Sequence, residues 1–369
     1  MKKLACAVAV AAVLLTSTGV YAVDTGVKSD GDATVTNPSF TAKDGVKVTM
    51  DNVIRAETAK YFAAETLTSG GNKFRHERKG IDLKNQTVIR SNFDLVYSYG
   101  VFDTKEGLTV SVPPYDLYQS VHIFDEDHFT IAVVYPGQTV TIKQSDLTHG
   151  RFVYLFMRTQ PRSLDAKGIA EMNKRQDAVK VSFGGTPEPY KSDVKYDVDS
   201  FNKLRTELVK RGPKEAVIYK GFVSKGDKAI TPQYQLVNIG GWGGLPAKHA
   251  FYWVVAPADE GAKNAQCSST TIKPLPVQYD KNGYWSLTVY NAEGWVKTDH
   301  FVINSHNAKA NKDGSYTLHF NCGDNAVNNF QTTKNWNALM RAYLPNSVDD
   351  ILKYSQDMQK NHPVVLQQQ

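Results

Sequence analysis

Leu108-Thr109-Val110-Ser111-Val112-Pro113-Pro114 is the stretch on which the fold turns. Apolar residues alternate with hydroxyl residues at period two until a pair of prolines stops the run. In a strand, positions i, i+2 and i+4 share a face, so this is a strand with one apolar and one hydroxyl side. Proline has no N–H to give to a ladder and ends it. The same short pattern recurs upstream at Phe93–Tyr99 and downstream at Gln119–Ile123, Phe129–Tyr135, Thr139–Lys143 and Phe152–Met157. Short strands at regular spacing with turn residues between them predict a sandwich or barrel.

Thr87–Arg90 reads as a further strand. From Thr49 to Thr66, Val53, Ala56, Ala59 and Ala63 recur at helical spacing, with Asp51 as cap and Gly70-Gly71 as the stop. A second helix is predicted over Ser163–Val179, capped by Ser163. Phe183-Gly184-Gly185-Thr186-Pro187-Glu188-Pro189 then marks a boundary. An amphipathic helix follows over Val198–Lys210 and is expected to stop at Arg211-Gly212-Pro213. Strands return at Phe251–Val255, Thr270–Ile272, Tyr284–Asn291 and Tyr316–Phe320, the last entered through a hairpin with an Asp313-Gly314 turn. A final helix is predicted over Ser347–Lys360. The expected fold is mostly β: a sandwich over 46–182, a linker and helix over 183–215, and a second sandwich over 216–369.

The N-terminus carries a different signal. Met1-Lys2-Lys3 precedes an apolar run from Leu4 to Leu15, and Val20-Tyr21-Ala22 presents small residues at a cleavage site. A dozen apolar residues make about 18 Å of helix, short of a ~30 Å bilayer core. The pattern predicts a signal peptide over 1–22, a flexible segment over 23–45, and a periplasmic or secreted protein. No later segment is apolar and long enough to span a membrane. The formal charge of +6 falls to about +4 once Lys2 and Lys3 are removed. That is too weak to argue for nucleic acid. Cleavage also removes Cys6 and leaves Cys267 and Cys322. An exported chain with one remaining pair invites a disulfide, the alternative being two separate buried thiols.

Arg90-Ser91-Asn92-Phe93-Asp94-Leu95-Val96-Tyr97-Ser98 resembles the Asn-x-Asp-x-x-Tyr-Ser signature of bacterial domain-of-unknown-function family 1254. Leu108–Pro113, Tyr118, Asp125 and Arg158-Thr159 keep that family's order. Gly283-Tyr284-Trp285-Ser286-Leu287-Thr288-Val289-Tyr290-Asn291 resembles its usual partner, family 1214. Gly243–Pro246, Asn311–Ser315 and Arg341–Pro345 also fit. The resemblance implies two jelly-roll-like β-sandwich domains with a few flanking helices. It also implies export and assembly into a homo-oligomer, and it supplies no agreed reaction.

Several residue groups could carry chemistry. Asn92 and Asp94, two apart on a strand, could converge on a ligand beside Tyr97; the alternative is a turn or a structural polar network. His122-x-x-Asp125-Glu126-Asp127-His128 is the densest set of candidate ligands for a divalent metal, and the alternative is a solvated turn. His122 could otherwise serve as general acid or base. Arg90, Arg158 and Arg341 are candidate anion clamps, or partners in internal ion pairs such as Arg158 with Asp94 or Asp125. Trp285, Tyr290, Trp295, Trp242 and Tyr252 could line a pocket or fill a core. Gly-x-Ser-x-Gly, P-loop and Rossmann motifs are absent from the sequence. Two functions compete. One is hydrolysis of a small anionic ester, such as a phosphoester, by Asp94, His122 and Asp125. The other is non-catalytic binding of a small molecule or glycan by an envelope module.

Overall fold

The computed structural model describes residues 39–80, 82–84, 86, 90–227 and 231–367. The expected signal peptide over 1–22, most of the 23–45 segment and positions 87–89 of the expected Thr87–Arg90 strand lie outside the described residues. The first half runs β1 (Thr41–Ala42), α1 (Val53–Ser69), β2 (Arg75–His76), β3 (Val96–Asp103), β4 (Leu108–Ser111), β5 (Gln119–Asp125), β6 (Thr130–Val134), β7 (Thr139–Ile142) and β8 (Phe152–Thr159). Next come α2 (Ala166–Ala178), β9 (Lys180–Phe183), β10 (Tyr196–Asp197), α3 (Val198–Glu215) and α4 (Pro232–Gly241). The second half holds β11 (Ala250–Val255), α5 (Glu260–Lys263), β12 (Ser268–Ile272), β13 (Tyr284–Tyr290), β14 (Val302–Asn304), β15 (Tyr316–Phe320), β16 (Asn329–Phe330), β17 (Asn337–Tyr343), α6 (Val348–Asn361) and β18 (Val365–Leu366).

The chain is mostly β, as the strand spacing predicts. A five-stranded sheet in the order β2-β3-β8-β5-β6 and a three-stranded sheet β7-β4-β9 make the first half. Leu108 and Val110, the apolar face of the alternating stretch, share a buried core with Val121, Ile123, Val153 and Leu155. The second half has the sheets β11-β17-β13-β14 and β16-β15-β12-β18. Trp253, Trp285, Leu287 and Met340 share their core with Leu318, Phe320 and Trp336. Cys267 and Cys322 are disulfide-bonded, with Cα atoms 4.5 Å apart, at the adjoining ends of the paired strands β12 and β15. No helix among the described residues is long and apolar enough to cross a membrane.

Both large sheets are buried on both faces. In β13, Trp285, Leu287 and Val289 enter the sandwich core, so Tyr284, Ser286, Thr288 and Tyr290 point the other way, yet all are buried. In β3, Tyr97, Tyr99 and Val101 likewise leave their sandwich and join an aromatic cluster with Tyr61 and Phe62 of α1. The same cluster takes in Tyr284 and Tyr343, so it joins the two halves. Trp242 sits at its centre, stacked on Tyr61 at 4.0 Å and edge-on to Tyr154 and Phe124 at 5.0 and 5.1 Å.

Local chemistry explains where the elements depart from the sequence reading. Asn92 and Asp94 are not in a strand: Arg90 takes φ 53°, Asn92 Oδ1 accepts the Asp94 N–H at 2.7 Å, and β3 starts only at Val96. A side chain that closes its own turn outcompetes extended pairing. The first helix starts at Val53 and ends as expected at Gly70, whose φ of 83° lets its N–H reach Thr66 O. Asp165, not Ser163, caps α2 by accepting from Gly168. Helix α3 continues through Gly212-Pro213 to Glu215; its packing against α4 outweighs one missing backbone donor. Asp313-Gly314 forms a turn, but β15 pairs with β12 and β16, so no hairpin results.

Candidate functional site

The residues singled out by the family signature gather between the outer faces of the two large sheets. A strap from Arg90 to Asp94 crosses the β13–β17 face. Arg341 of β17 donates to Arg90 O at 2.9 Å, Thr288 Oγ1 at 3.0 Å and Tyr290 Oη at 2.9 Å. Arg90 Nε donates to Asn337 Oδ1 at 3.1 Å, and Asn92 Nδ2 donates to Tyr343 Oη at 2.5 Å. Asp94 accepts from Ser286 Oγ and, at 2.7 Å, from Asn304 Nδ2. Burial raises the Asp94 carboxyl against these hydrogen bonds and the nearby Arg341. Arg90 and Arg341 therefore act as staples between the halves.

Arg158 is placed differently. Strand register aligns Tyr97, Arg158 and Ser120 in one row across β3, β8 and β5. The guanidinium lies 4.2 Å over the Phe156 ring and gives one Nη2 bond, 2.7 Å, to Gly243 O. It is 3% exposed, Nη1 has no hydrogen-bond partner, and neither Asp94 nor Asp125 pairs with it. Around it stand Tyr118, Tyr135 and Tyr252, each of whose phenol feels the Arg158 charge. Tyr118 is edge-on to Tyr135 at 6.2 Å and tilted against Tyr343 at 5.0 Å; Tyr343 stacks on Tyr284 at 4.6 Å.

Tyr135, Tyr252 and His249 keep part of their surface accessible, yet burial shifts all three titrations. Tyr135 and Tyr252 are half-buried beside Arg158, and His249 is half-buried against Tyr135, whose Oη lies 2.9 Å from His249 Nδ1. Burial pushes the Tyr118 hydroxyl up to about 12 and His249 down to about 4. The phenols stay protonated and the imidazole neutral, and Arg158 is the charged side chain that the three phenols share.

His122 is fully buried one row from Arg158. Its Nε2 meets Thr130 Oγ1 at 2.8 Å, its Nδ1 has no partner, and burial, then Arg158, drives its pKa far below the usual range. His128 Nε2 accepts the Gly243 N–H at 2.7 Å, and burial lowers its pKa to about 3. The adjoining acids are committed to protein groups. Asp125 accepts N–H bonds from Asp127, Phe129 and Thr148; Glu126 accepts from Arg151 and Phe152; Asp127 pairs with Arg55 and His149. Among the described residues no group of three or more His, Cys, Asp or Glu is placed to hold a metal ion. The spacing that suggested a divalent-metal site instead builds the turn between β5 and β6.

Burial raises Asp125 to about 6. An unfolded Asp titrates near 3.9, so ionising the folded group costs about 3 kcal/mol, at about 1.36 kcal/mol per unit. The folded pKa is the higher one. Its contribution to stability is therefore full below about pH 4 and lost as pH rises through about 6. The stability of Asp125→Asn minus that of wild type should grow by about 3 kcal/mol between pH 4 and 7 in urea unfolding. A difference that stays flat across that range would refute the assignment.

Of the remaining candidates, Tyr97 lies in the Arg158 row and packs on Phe156 at 5.2 Å. Trp285 faces the second sandwich core, edge-on to Tyr316 at 5.3 Å, on the opposite side of β13 from Ser286. Trp242 and Tyr290 are also buried, the first in the aromatic cluster and the second against the strap. The sequence reading passed over Tyr118, Tyr135, Tyr284, Tyr343 and His249 as site residues. The alternation Tyr284-x-Ser286-x-Thr288-x-Tyr290, a hydroxyl face opposite Trp285-Leu287-Val289, was the available signal.

A model for "Protein of unknown function (DUF1254)" matches residues 71–181, and one for "Protein of unknown function (DUF1214)" matches residues 250–347. No curated protein matches the chain. Among solved structures, the VPA0106 protein from Vibrio parahaemolyticus is similar, with 17% identity over 82% of this chain and 94% of that one and a TM-score of 0.61. An uncharacterized protein from Burkholderia cenocepacia aligns with 12% identity over 81% of this chain and 84% of that one, with a TM-score of 0.44. At 17% identity the Vibrio likeness is one of fold. Both models in sequence along one chain, over the motifs that build the strap and the β13–β17 face, make this protein a member of the two-domain 1254/1214 family.

Proposed function

We propose that this protein binds a small organic anion between its two large sheets, with Arg158 as the anion clamp. One observation carries the reading: a buried guanidinium with no carboxylate partner among the described residues and a free Nη1. Isolating such a charge from water costs several kcal/mol, a cost that an anionic ligand offsets. Protonated phenols around it supply orienting donors without a competing negative charge. Calorimetric titration of the whole protein against small anions and their neutral isosteres tests the reading. Arg158→Gln should weaken anion binding about a hundredfold, the worth of one or two charge-assisted hydrogen bonds. Equal affinity for anions and neutral isosteres would defeat it.

Hydrolysis of a small anionic ester is the second reading, and Asp94 favours it. Burial raises the Asp94 pKa, the direction that favours a carboxyl able to give a proton to a leaving group. His122 and Asp125 would then support the fold around it. Turnover of an ester panel that is unchanged in Asp94→Asn would remove this reading. The same proposal places the protein in the periplasm or outside the cell. The apolar Leu4–Leu15 run and a disulfide suited to an oxidising compartment support that location.

A further inference from the structure

We infer that strand β11 is the seam of a homodimer: its open edge pairs, antiparallel and about a two-fold axis, with β11 of a second copy of this chain. The inference is independent of the anion site. Strand register defines the edge. His249 O accepts the Leu344 N–H at 2.9 Å, so alternation along the antiparallel ladder gives the bonds of Phe251, Trp253 and Val255 to β17. The far side of the sheet sets the same alternation. Val289 N–H turns to Phe301 O, so Ser286, Thr288 and Tyr290 bond to β17 and leave Ala338, Met340 and Ala342 for β11. Tyr252 and Val254 therefore turn their N–H and C=O groups away from the sheet. Among the described residues nothing takes up those groups, whereas the outward N–H of Ala250 is taken by Pro246 O at 3.1 Å.

An open edge invites pairing with another chain, and native edges are blunted by shortness, charge, proline or cover. The other edges of the described sheets are shorter or covered. Strands β2, β16 and β18 have two residues each, β14 has three, and β7 and β9 have four. Strand β6 is covered by the 223–225 segment, through Thr130 N to Val223 O at 3.0 Å and Lys225 N to Thr130 O at 2.9 Å. Strand β11 has six residues, Ala250-Phe251-Tyr252-Trp253-Val254-Val255, with no charge, proline or glycine. Left bare, such a segment is an aggregation hazard; a closed two-fold pair consumes it. Charge selects a second copy as the occupant. Exposed Lys248 precedes β11, and Glu260, with a side chain 80% exposed, follows it. Antiparallel pairing reverses one strand, so the lysine end of each copy meets the glutamate end of the other. With the axis at Trp253, Tyr252 of each copy exchanges both outward bonds with Val254 of the other.

Sedimentation velocity of the full chain tests this: a species of twice the monomer mass should form between about 1 and 100 μM. Val254→Pro deletes an outward N–H without touching the ladder to β17. It should weaken the dimer about a hundredfold and leave the far-ultraviolet spectrum unchanged. Should that variant fail to fold, charge gives the readout instead. Glu260→Lys should weaken the dimer about three- to tenfold, and adding Lys248→Glu should restore it. A monomer across the whole range would overturn the inference and leave the edge to an extended segment of another protein. A dimer that neither Val254→Pro nor Glu260→Lys weakens would overturn it by placing the contact on another surface. A double variant no tighter than Glu260→Lys would overturn the antiparallel pairing.

Discussion

Replacing Arg341 with Met should destabilise the protein by about 3–5 kcal/mol, the loss expected when one member of a buried charged network is removed. Arg341 is 3% exposed and its donors are spread over Thr288, Tyr290 and the carbonyl of Arg90. Methionine matches the length of the side chain but supplies no donor. The Arg90 carbonyl and the Tyr290 hydroxyl would each lose the guanidinium's hydrogen bond at a dry interface, and a bond to a charged donor is worth about 1.5–3 kcal/mol. Asp94 would also lose the guanidinium that lowers its pKa, so its carboxyl should titrate still higher. Urea unfolding followed by tryptophan emission measures the loss. A change below about 1 kcal/mol would show that the strap holds without Arg341.

Cys322→Ser should cost about 4 kcal/mol. The bridge closes a loop of sequence separation 55, and the entropy that such a cross-link removes from the unfolded chain has that size. Its two cysteines flank paired strands, just outside the Ser268–Phe320 pair, so the folded state adapts to the bridge with little rearrangement. Thermal unfolding should drop by about 10 °C, at about 2–4 °C per kcal/mol for a chain of this size class. A reductant should produce the same drop in wild type and none in Cys322→Ser. If a reductant left the wild-type midpoint where it was, the bridge would have no stabilising role.

Strands announced by alternation were legible. Leu108–Val112, Gln119–Ile123 and Tyr316–Phe320 fall on β4, β5 and β15 within two residues, because one apolar face on a sandwich writes itself at period two. The central strand β17 was not legible as a strand. Asn337-Ala338-Leu339-Met340-Arg341-Ala342-Tyr343 is rich in helix formers, and only its place between β11 and β13 makes it extended. Helix α4 went unseen despite a Thr231-Pro232 start, since its buried, glycine-ended sequence shows no polar face. At the site, Arg158 and Tyr97 could be picked out because their residue types are chemically loud. Their alignment with Ser120 depends on register, and their enclosure by Tyr252 and Tyr343 depends on how two distant sheets meet. Neither is written in local spacing. The acidic run at 125–127 was loud for a different reason: a tight turn needs side-chain acceptors for its own backbone.

The Arg90–Asp94 strap has a consequence for how such a chain can be rearranged by recombination. The strap belongs in sequence to the first half but completes the surface of the second. A crossover that exchanged either half for a distant counterpart would have to bring a strap and a β13–β17 face that fit each other. Otherwise Ser286, Thr288, Tyr290 and Arg341 would lie on a wet surface built to be dry. Selection therefore sees the two halves as one heritable unit, although each has its own core.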